Sequence, residues 1–198
     1  MTRILAINGS YRDDGITDQA LEAAAEAARA AGAEVETVSL REYPIGFCLN
    51  CRECTQEPGT APGRCVQHDG MQELVDKIEH ADNYILASPT NFGSVTAVFK
   101  RFMERLVVYA YCPWDRDAPQ LRKAKAPKKK ALLISSCAAP GIVGRWLYGT
   151  QKQLKMTAKT IGADTVGALS IGLIAKEAHP QLSQRAQARA KTLAARLV

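Results

Sequence analysis

The sequence predicts one α/β domain, built on a five-stranded parallel sheet with helices on both faces. Three observations lead there. Five short apolar runs alternate with five longer segments of helical periodicity. Three of those runs open into loops of small residues. No repeat, low-complexity block or linker divides the 198 residues, a length that suits a single core.

Arg3 to Ile7 reads as a buried strand. It runs into Asn8-Gly9-Ser10-Tyr11-Arg12-Asp13-Asp14-Gly15-Ile16-Thr17, a polar loop with glycine near both ends. Thr17 or Asp18 is placed to cap a helix that continues through Ala31, with Leu21, Ala24, Ala25 and Ala28 on one stripe, and Gly32 ends it. A strand, a Gly/Ser/Thr loop and a helix N-terminus form either an anion site or an ordinary strand-to-helix turn. In the first case Arg12 adds a charge-assisted contact. The loop is not Gly-x-Gly-x-x-Gly, so the dinucleotide fingerprint is absent here.

Glu34 to Leu40 alternates polar residues with Val35, Val38 and Leu40 and reads as an edge strand. A cysteine-rich insertion at about 46–70 follows. Met71 to Ala81 has helical spacing through Met71, Leu74, Val75 and Ile78. Tyr84 to Ala87 is the third strand, opening into Ser88-Pro89-Thr90-Asn91-Phe92-Gly93-Ser94-Val95. Phe92 either anchors this loop in the core or faces a cofactor. Ser94 or Thr96 caps a helix from about Val95 to Val107 that buries Val98, Phe99, Phe102, Met103 and Leu106.

Residues Tyr109 to Lys130 show no clear period, and Trp114 suits an interface as well as simple packing. Ala131 to Ser135 is the fourth strand, followed by the small-residue loop Ser136 to Gly144, in which Cys137 reads as a small buried residue. A helix from Gly149 to Ile161, a strand from Thr165 to Leu173 and a helix from Gln181 to Leu197 complete the chain. In the order 2-1-3-4-5, strands one, three and four are neighbours. Their loops converge on one crevice at the carboxyl end of the sheet, where such folds bind ligands, and the cysteine loop leaves the same end.

The formal net charge is +6. Arg122 to Lys130 holds Arg122, Lys123, Lys125, Lys128, Lys129 and Lys130 with no acid, so the rest of the chain is neutral. By itself this local charge does not imply a nucleic-acid surface, and no nucleic-acid partner is expected. The stretch reads as a solvated loop before a strand, or as a patch for an anionic partner. No apolar run approaches the ~20 residues of a membrane span. The apolar start is too short for a signal-peptide core, so the expectation is a cytoplasmic protein with reduced thiols.

In that compartment clustered cysteines favour metal or redox chemistry. Cys48, Cys51 and Cys54 recur every third residue, and Cys65 follows a Gly/Pro-rich loop. That spacing turns successive sulfurs toward one centre, as an iron–sulfur cluster or a zinc ion requires; free or bridged thiols are the third possibility. His68, His80 and His179 are scattered, and none pairs with a nucleophile.

Gly9-Ser10-Tyr11-Arg12, with Gly15 and Thr17, resembles the phosphate loop of the NADPH-dependent FMN reductase families. Ser88-Pro89-Thr90-Asn91-Phe92-Gly93 is similar to their second flavin loop. The cysteine run, with Cys65 and then His68-Asp69-Gly70-Met71, resembles the iron–sulfur flavoprotein branch. Three features depart from the pattern: the longer Cys54–Cys65 gap, Phe92 in place of the usual Tyr, and Cys137-Ala138 where glycines are commoner.

The resemblance implies a flavodoxin-like fold that binds FMN. Its phosphate would meet Ser10, Arg12, Ile16 and Thr17. Its ring would be flanked by Pro89, Thr90, Asn91, Phe92 and Gly93, with Ser136, Cys137 and Ala138 from the third loop. A [4Fe–4S] cluster would be held by Cys48, Cys51, Cys54 and Cys65, with zinc as the alternative metal. NADPH or NADH, or a ferredoxin-like donor, would supply electrons to an acceptor that the sequence does not identify. No acid–base side chain is required, and relatives of this kind form homodimers or homotetramers. Two other readings stay open: a non-catalytic redox carrier or sensor, and a zinc-stabilised flavodoxin-like binding module.

Overall fold

Strands buried on both faces must be apolar throughout, and edge strands need not be. The computed structural model, which describes residues 1–175 and 177–198, follows that rule. The strands β1 (Arg3–Asn8), β3 (Asn83–Pro89) and β6 (Lys129–Ser136) are buried nearly end to end, whereas β2 (Glu34–Ser39) is largely polar. With β7 (Ala163–Ile171) they form a parallel sheet in the order β2-β1-β3-β6-β7. This is the predicted 2-1-3-4-5 order counted along the sheet.

Two apolar layers cover the sheet. On one face α1 (Ile16–Ala30) and α6 (Gln184–Ala194) pack through Ala20, Leu21, Ala24, Ala190 and Leu193. On the other lie α2 (Met71–His80), α3 (Ala97–Arg105) and α5 (Thr150–Thr160), with Leu74, Ile78, Phe99, Phe102 and Leu154 fully buried. Phe99 and Phe102 meet edge to face at 5.8 Å. A Cβ on Gly9 would stand 2.7 Å from the Phe99 ring, so glycine at the end of β1 is what lets α3 seat there. Among the described residues no helix is long and apolar enough to cross a membrane.

Several local expectations are corrected. Neither Thr17 nor Asp18 caps α1: Gly15 is the N-cap, no side chain closes the helix end, and Asp18 instead accepts from the Asn8 amide at 2.9 Å. Of the two candidates for α3, Thr96 is the cap, accepting from Phe99 N at 3.3 Å. The loop after β6 contains a helix, α4 (Gly141–Leu147). Inside the aperiodic stretch a short ribbon pairs β4 (Ala110–Tyr111) with β5 (Gln120–Leu121), following a 3₁₀ turn at Leu106–Tyr109. Helix α6 starts at Gln184, three residues later than predicted, with Ser183 as its cap, because Pro180 and the segment after it stay extended over α1.

The basic stretch is not simply a solvated loop. Lys129 donates to the carbonyls of Ile78, Glu79 and Ala81, closing the C-terminus of α2, where a cation suits the helix dipole. Lys123 pairs with Glu79, and Arg122 is buried. Only Lys125, Lys128 and Lys130 remain exposed.

Candidate functional site

The register of β1, β3 and β6 brings three loops together at one end of the sheet. Gly9 N donates to Ala87 O at 2.8 Å, and Thr90 N donates to Ser136 O at 2.7 Å. The Thr17 and Ser136 hydroxyls share a buried hydrogen bond of 2.8 Å. Thr96 Oγ1 donates to Gly9 O at 2.6 Å. The first loop is also braced from within. Ser10 N donates to Asn8 Oδ1 at 2.8 Å, Ser10 Oγ donates to Arg12 O at 3.0 Å, and Arg41 pairs with Asp13 while donating to Tyr11 O.

Between these loops lies a cleft of about 220 Å³. Of the predicted residues, Ser10, Arg12, Ile16, Thr17, Pro89, Asn91 and Ser136 line it. The others stand around it. Thr90 Oγ1 bonds Thr150 Oγ1 at 2.9 Å, a partner the sequence did not reveal. Phe92 is in the left-handed region at φ 49° and fully exposed, so it does not anchor the loop in the core. Gly93 O accepts from Gly149 N. Cys137 is buried, as expected; it donates to Ala139 O, and burial pushes its thiol up. Ala138 is exposed.

Tyr11, Gly15, Thr96, Ile174 and Pro180 also line the cleft but were not predicted. Ile174 and Pro180 come from the segment after β7, which crosses the first loop where Arg12 donates to Ala178 O. Nothing local in the sequence signals that crossing.

The donors at this cleft fit a phosphate monoester. The α1 end carries no side-chain cap, so its first N–H groups stay available at the positive end of the helix dipole. The Thr17 and Ser136 hydroxyls and the Arg12 guanidinium lie alongside.

The cysteine insertion starts from the same end of the sheet, where Leu40 N donates to Asn8 O. Asn50 and Arg52 on either side of Cys51 both adopt left-handed backbone, at φ 54° and 62°. The chain therefore turns sharply between sulfurs, and Asn50 N points at Cys48 Sγ, 3.4 Å away. Cys54 is buried and Cys48, Cys51 and Cys65 are half-buried. Burial first, then the neighbouring sulfurs of Cys65, Cys48 and Cys51, push the Cys54 thiol up to about 11. Arg105 Nη2 stands 3.5 Å from Cys65 Sγ.

As a donor set, four thiols with an N–H donor and a guanidinium nearby fit a four-thiolate centre in chemistry, although their side chains are not gathered around one point. Among the described residues no three His, Cys, Asp or Glu side chains form a closed ligand group.

The insertion does not stay beside the three loops. It folds back against the far end of α3, where Gly63 N donates to Val108 O and Cys112 N donates to Thr55 O. The first loop sits at the near end, on Thr96 and Phe99. The nine residues of α3 rise about 13 Å between these ends. Trp114, beyond the 3₁₀ turn, is exposed and stacked by Arg52 at 4.6 Å. The three histidines lie on the surface.

Two curated relatives are both described as "Iron-sulfur flavoprotein": one from Archaeoglobus fulgidus, 37% identical over 111 residues, and one from Methanosarcina thermophila, 30% identical over 106. The matches cover 56% and 54% of this chain, and 48% and 53% of those proteins, so the chain spans about half the length of the curated relatives it matches. Among solved structures, an FMN-dependent NADH-azoreductase from Bacillus anthracis in complex with FMN superposes with a TM-score of 0.70 at 13% identity, covering 100% of this chain and 99% of that one. An NAD(P)H:quinone oxidoreductase from Methanothermobacter marburgensis gives 0.67 at 16% identity, covering 98% and 94%. At those identities the likeness is one of fold. The model for NADPH-dependent FMN reductase, however, matches residues 2–168, which takes in all five sheet strands except the end of β7 from Leu169 to Ile171, and by that match the chain belongs to the NADPH-dependent FMN reductase family.

Proposed function

We propose that residues 1–198 form one FMN-binding oxidoreductase domain, which takes electrons from NADPH or NADH and passes them on through a [4Fe–4S] cluster held by Cys48, Cys51, Cys54 and Cys65. The observation that carries the flavin assignment is the cleft between the first and third loops, with the uncapped α1 N-terminus beside the Thr17–Ser136 hydroxyl pair. When bound there, FMN would supply two-electron uptake from a nicotinamide and one-electron delivery onward.

The protein's task is to hold and orient. The first-turn N–H groups at Ile16 and Thr17, with Arg12, neutralise a phosphate dianion. Pro89 to Gly93, tied to Ser136 and bridged between Asn91 and Ser94, form a fixed wall for the ring. The exposed apolar residues Phe92, Ile142, Trp146 and Leu147 support a homodimer or homotetramer as part of the same proposal.

Flavin released by heat and identified by chromatography should be FMN; FAD, or a chain that never takes up flavin, would overturn the assignment. Anaerobic mixing with NADPH or NADH should bleach the flavin absorbance, and if neither does, the carrier reading replaces the enzyme. Thr17→Val removes a hydroxyl that would meet the flavin phosphate. It should weaken FMN binding by about 1–3 kcal/mol, the cost of an unsatisfied buried partner, measured by fluorescence titration of the apoprotein. For the cysteines, anaerobically purified protein should contain about four iron and four sulfide per chain, both lost in Cys51→Ser. Stoichiometric zinc, or iron kept by that variant, would point elsewhere.

A further inference from the structure

Resting on the four-cysteine reading above, we infer that Arg122 is the internal counter-charge of the thiolate centre and raises its reduction potential. Arg122 is 6% exposed. Its guanidinium spans the cysteine loop: Nε donates to Val108 O at 3.0 Å, Nη1 to Glu57 O at 2.8 Å and Gly59 O at 3.3 Å, and Nη2 to Cys54 O at 3.2 Å. Every acceptor is a main-chain carbonyl, and none is a carboxylate. The other buried arginine beside the cysteines, Arg105, differs in this respect, because Asp69 neutralises it at 2.7 Å.

A buried cation without an anion is costly, and the carbonyls satisfy its N–H groups without cancelling its charge. Cys54 bonds the guanidinium through its own carbonyl, and the Tyr111 ring, 5.9 Å away, offers only its neutral face. Four thiolates around a 2+ metal centre leave an excess of two negative charges. Arg122 offsets part of that excess at the bonded edge of the loop. The reduced centre carries one further negative charge, so a fixed cation favours it over the oxidised one.

The position is also one that a tether alone does not require. A neutral amide could bridge two of these carbonyls; the delocalised cation reaches four. Arg122 is thus a positioning residue with two separable functions, holding the loop and biasing the charge, and charge-retaining and charge-removing substitutions distinguish them.

The test uses the anaerobically purified full chain with Arg122→Lys and Arg122→Gln. Iron and sulfide are measured per chain, and the reduced fraction is followed by electron paramagnetic resonance during titration with a chemical reductant. Arg122→Gln should lower the reduced-to-oxidised ratio at a fixed potential by roughly tenfold, or 59 mV for a one-electron couple, or fail to load the centre. Arg122→Lys should load it and stay near the parent ratio. Equal behaviour of the two variants, whether both match the parent or both lose the centre, would reduce Arg122 to a tether and overturn the inference. A parent chain that holds no iron when purified without oxygen, whether empty or loaded with zinc, would overturn the iron–sulfur reading and this inference together.

Discussion

Gly63→Ala is expected to destabilise the chain by about 3 kcal/mol, at the upper end for overpacked sites, and to expose the Cys54 and Cys65 thiols. A Cβ at position 63 would lie 1.7 Å from Cys54 O and 2.8 Å from its carbonyl carbon. Both are backbone atoms, so no rotamer change relieves the clash. Arg122 Nη2, 3.1 Å from the same point, closes the remaining side. The extra residues between Cys54 and Cys65 are therefore not slack. They fold back until Gly63 touches Cys54, and that contact draws the third and fourth cysteines together. Separating them also strains the Gly63 N bond to Val108 O. For a chain of this size the melting temperature should fall by roughly 6–12 °C, and a thiol reagent should label Cys54 faster in the variant. An unchanged melting curve together with unchanged thiol labelling would show that the loop is not closed by this contact.

How much of this was legible in the sequence depends on how local each signal is. The apolar run Ile4 to Ile7 and the polar edge of β2 mark an interior strand and an edge strand, because burial on two faces or one leaves its pattern in adjacent residues. Thr17 misleads for the same reason. Its position suggests a cap, yet its hydroxyl bonds Ser136, 119 residues away. Helix α4 is hidden by Gly141, Gly144, Ile142 and Val143, poor helix formers that Pro140 starts into a turn. The β4–β5 ribbon has two residues per strand, too few for any period. In the candidate site, the first and third loops were found from their small residues. Ile174, Pro180 and the Arg12–Ala178 contact were not, because they depend on where the chain crosses after β7. The cysteine spacing was visible, but the return of the insertion along α3 was not, since it rests on Arg122 and Arg105 reaching distant carbonyls and Asp69.

Asp69→Ala should be the most damaging single change outside the cleft, costing about 3–5 kcal/mol, the usual effect of breaking a buried ion pair. Asp69 holds three elements at once. Its carboxylate accepts from Arg105 Nη1 at 2.7 Å and Nη2 at 3.0 Å, from Gly46 N at 2.8 Å and from Met71 N at 3.1 Å. Removing it strands a guanidinium whose side chain is 1% exposed and whose Nε already lacks a partner. It also frees the start of α2 and the entry to the cysteine loop. The pH dependence follows in sign. Burial alone would raise the Asp69 carboxyl, but the Arg105 hydrogen bonds and those from Gly46 and Met71 outweigh it and hold it below the ordinary 3.8. Its stabilising contribution is therefore complete above about pH 4, and is lost as the pH falls through the lowered value. Acid titration of the parent should show this loss, and Asp69→Ala should be weaker at neutral pH with a flatter acid limb. The double variant Asp69→Leu with Arg105→Met replaces the pair with apolar groups and should recover most of the stability. If Asp69→Ala unfolds at the parent denaturant midpoint at pH 7, the ion pair is not what joins the cysteine insertion to α2 and α3.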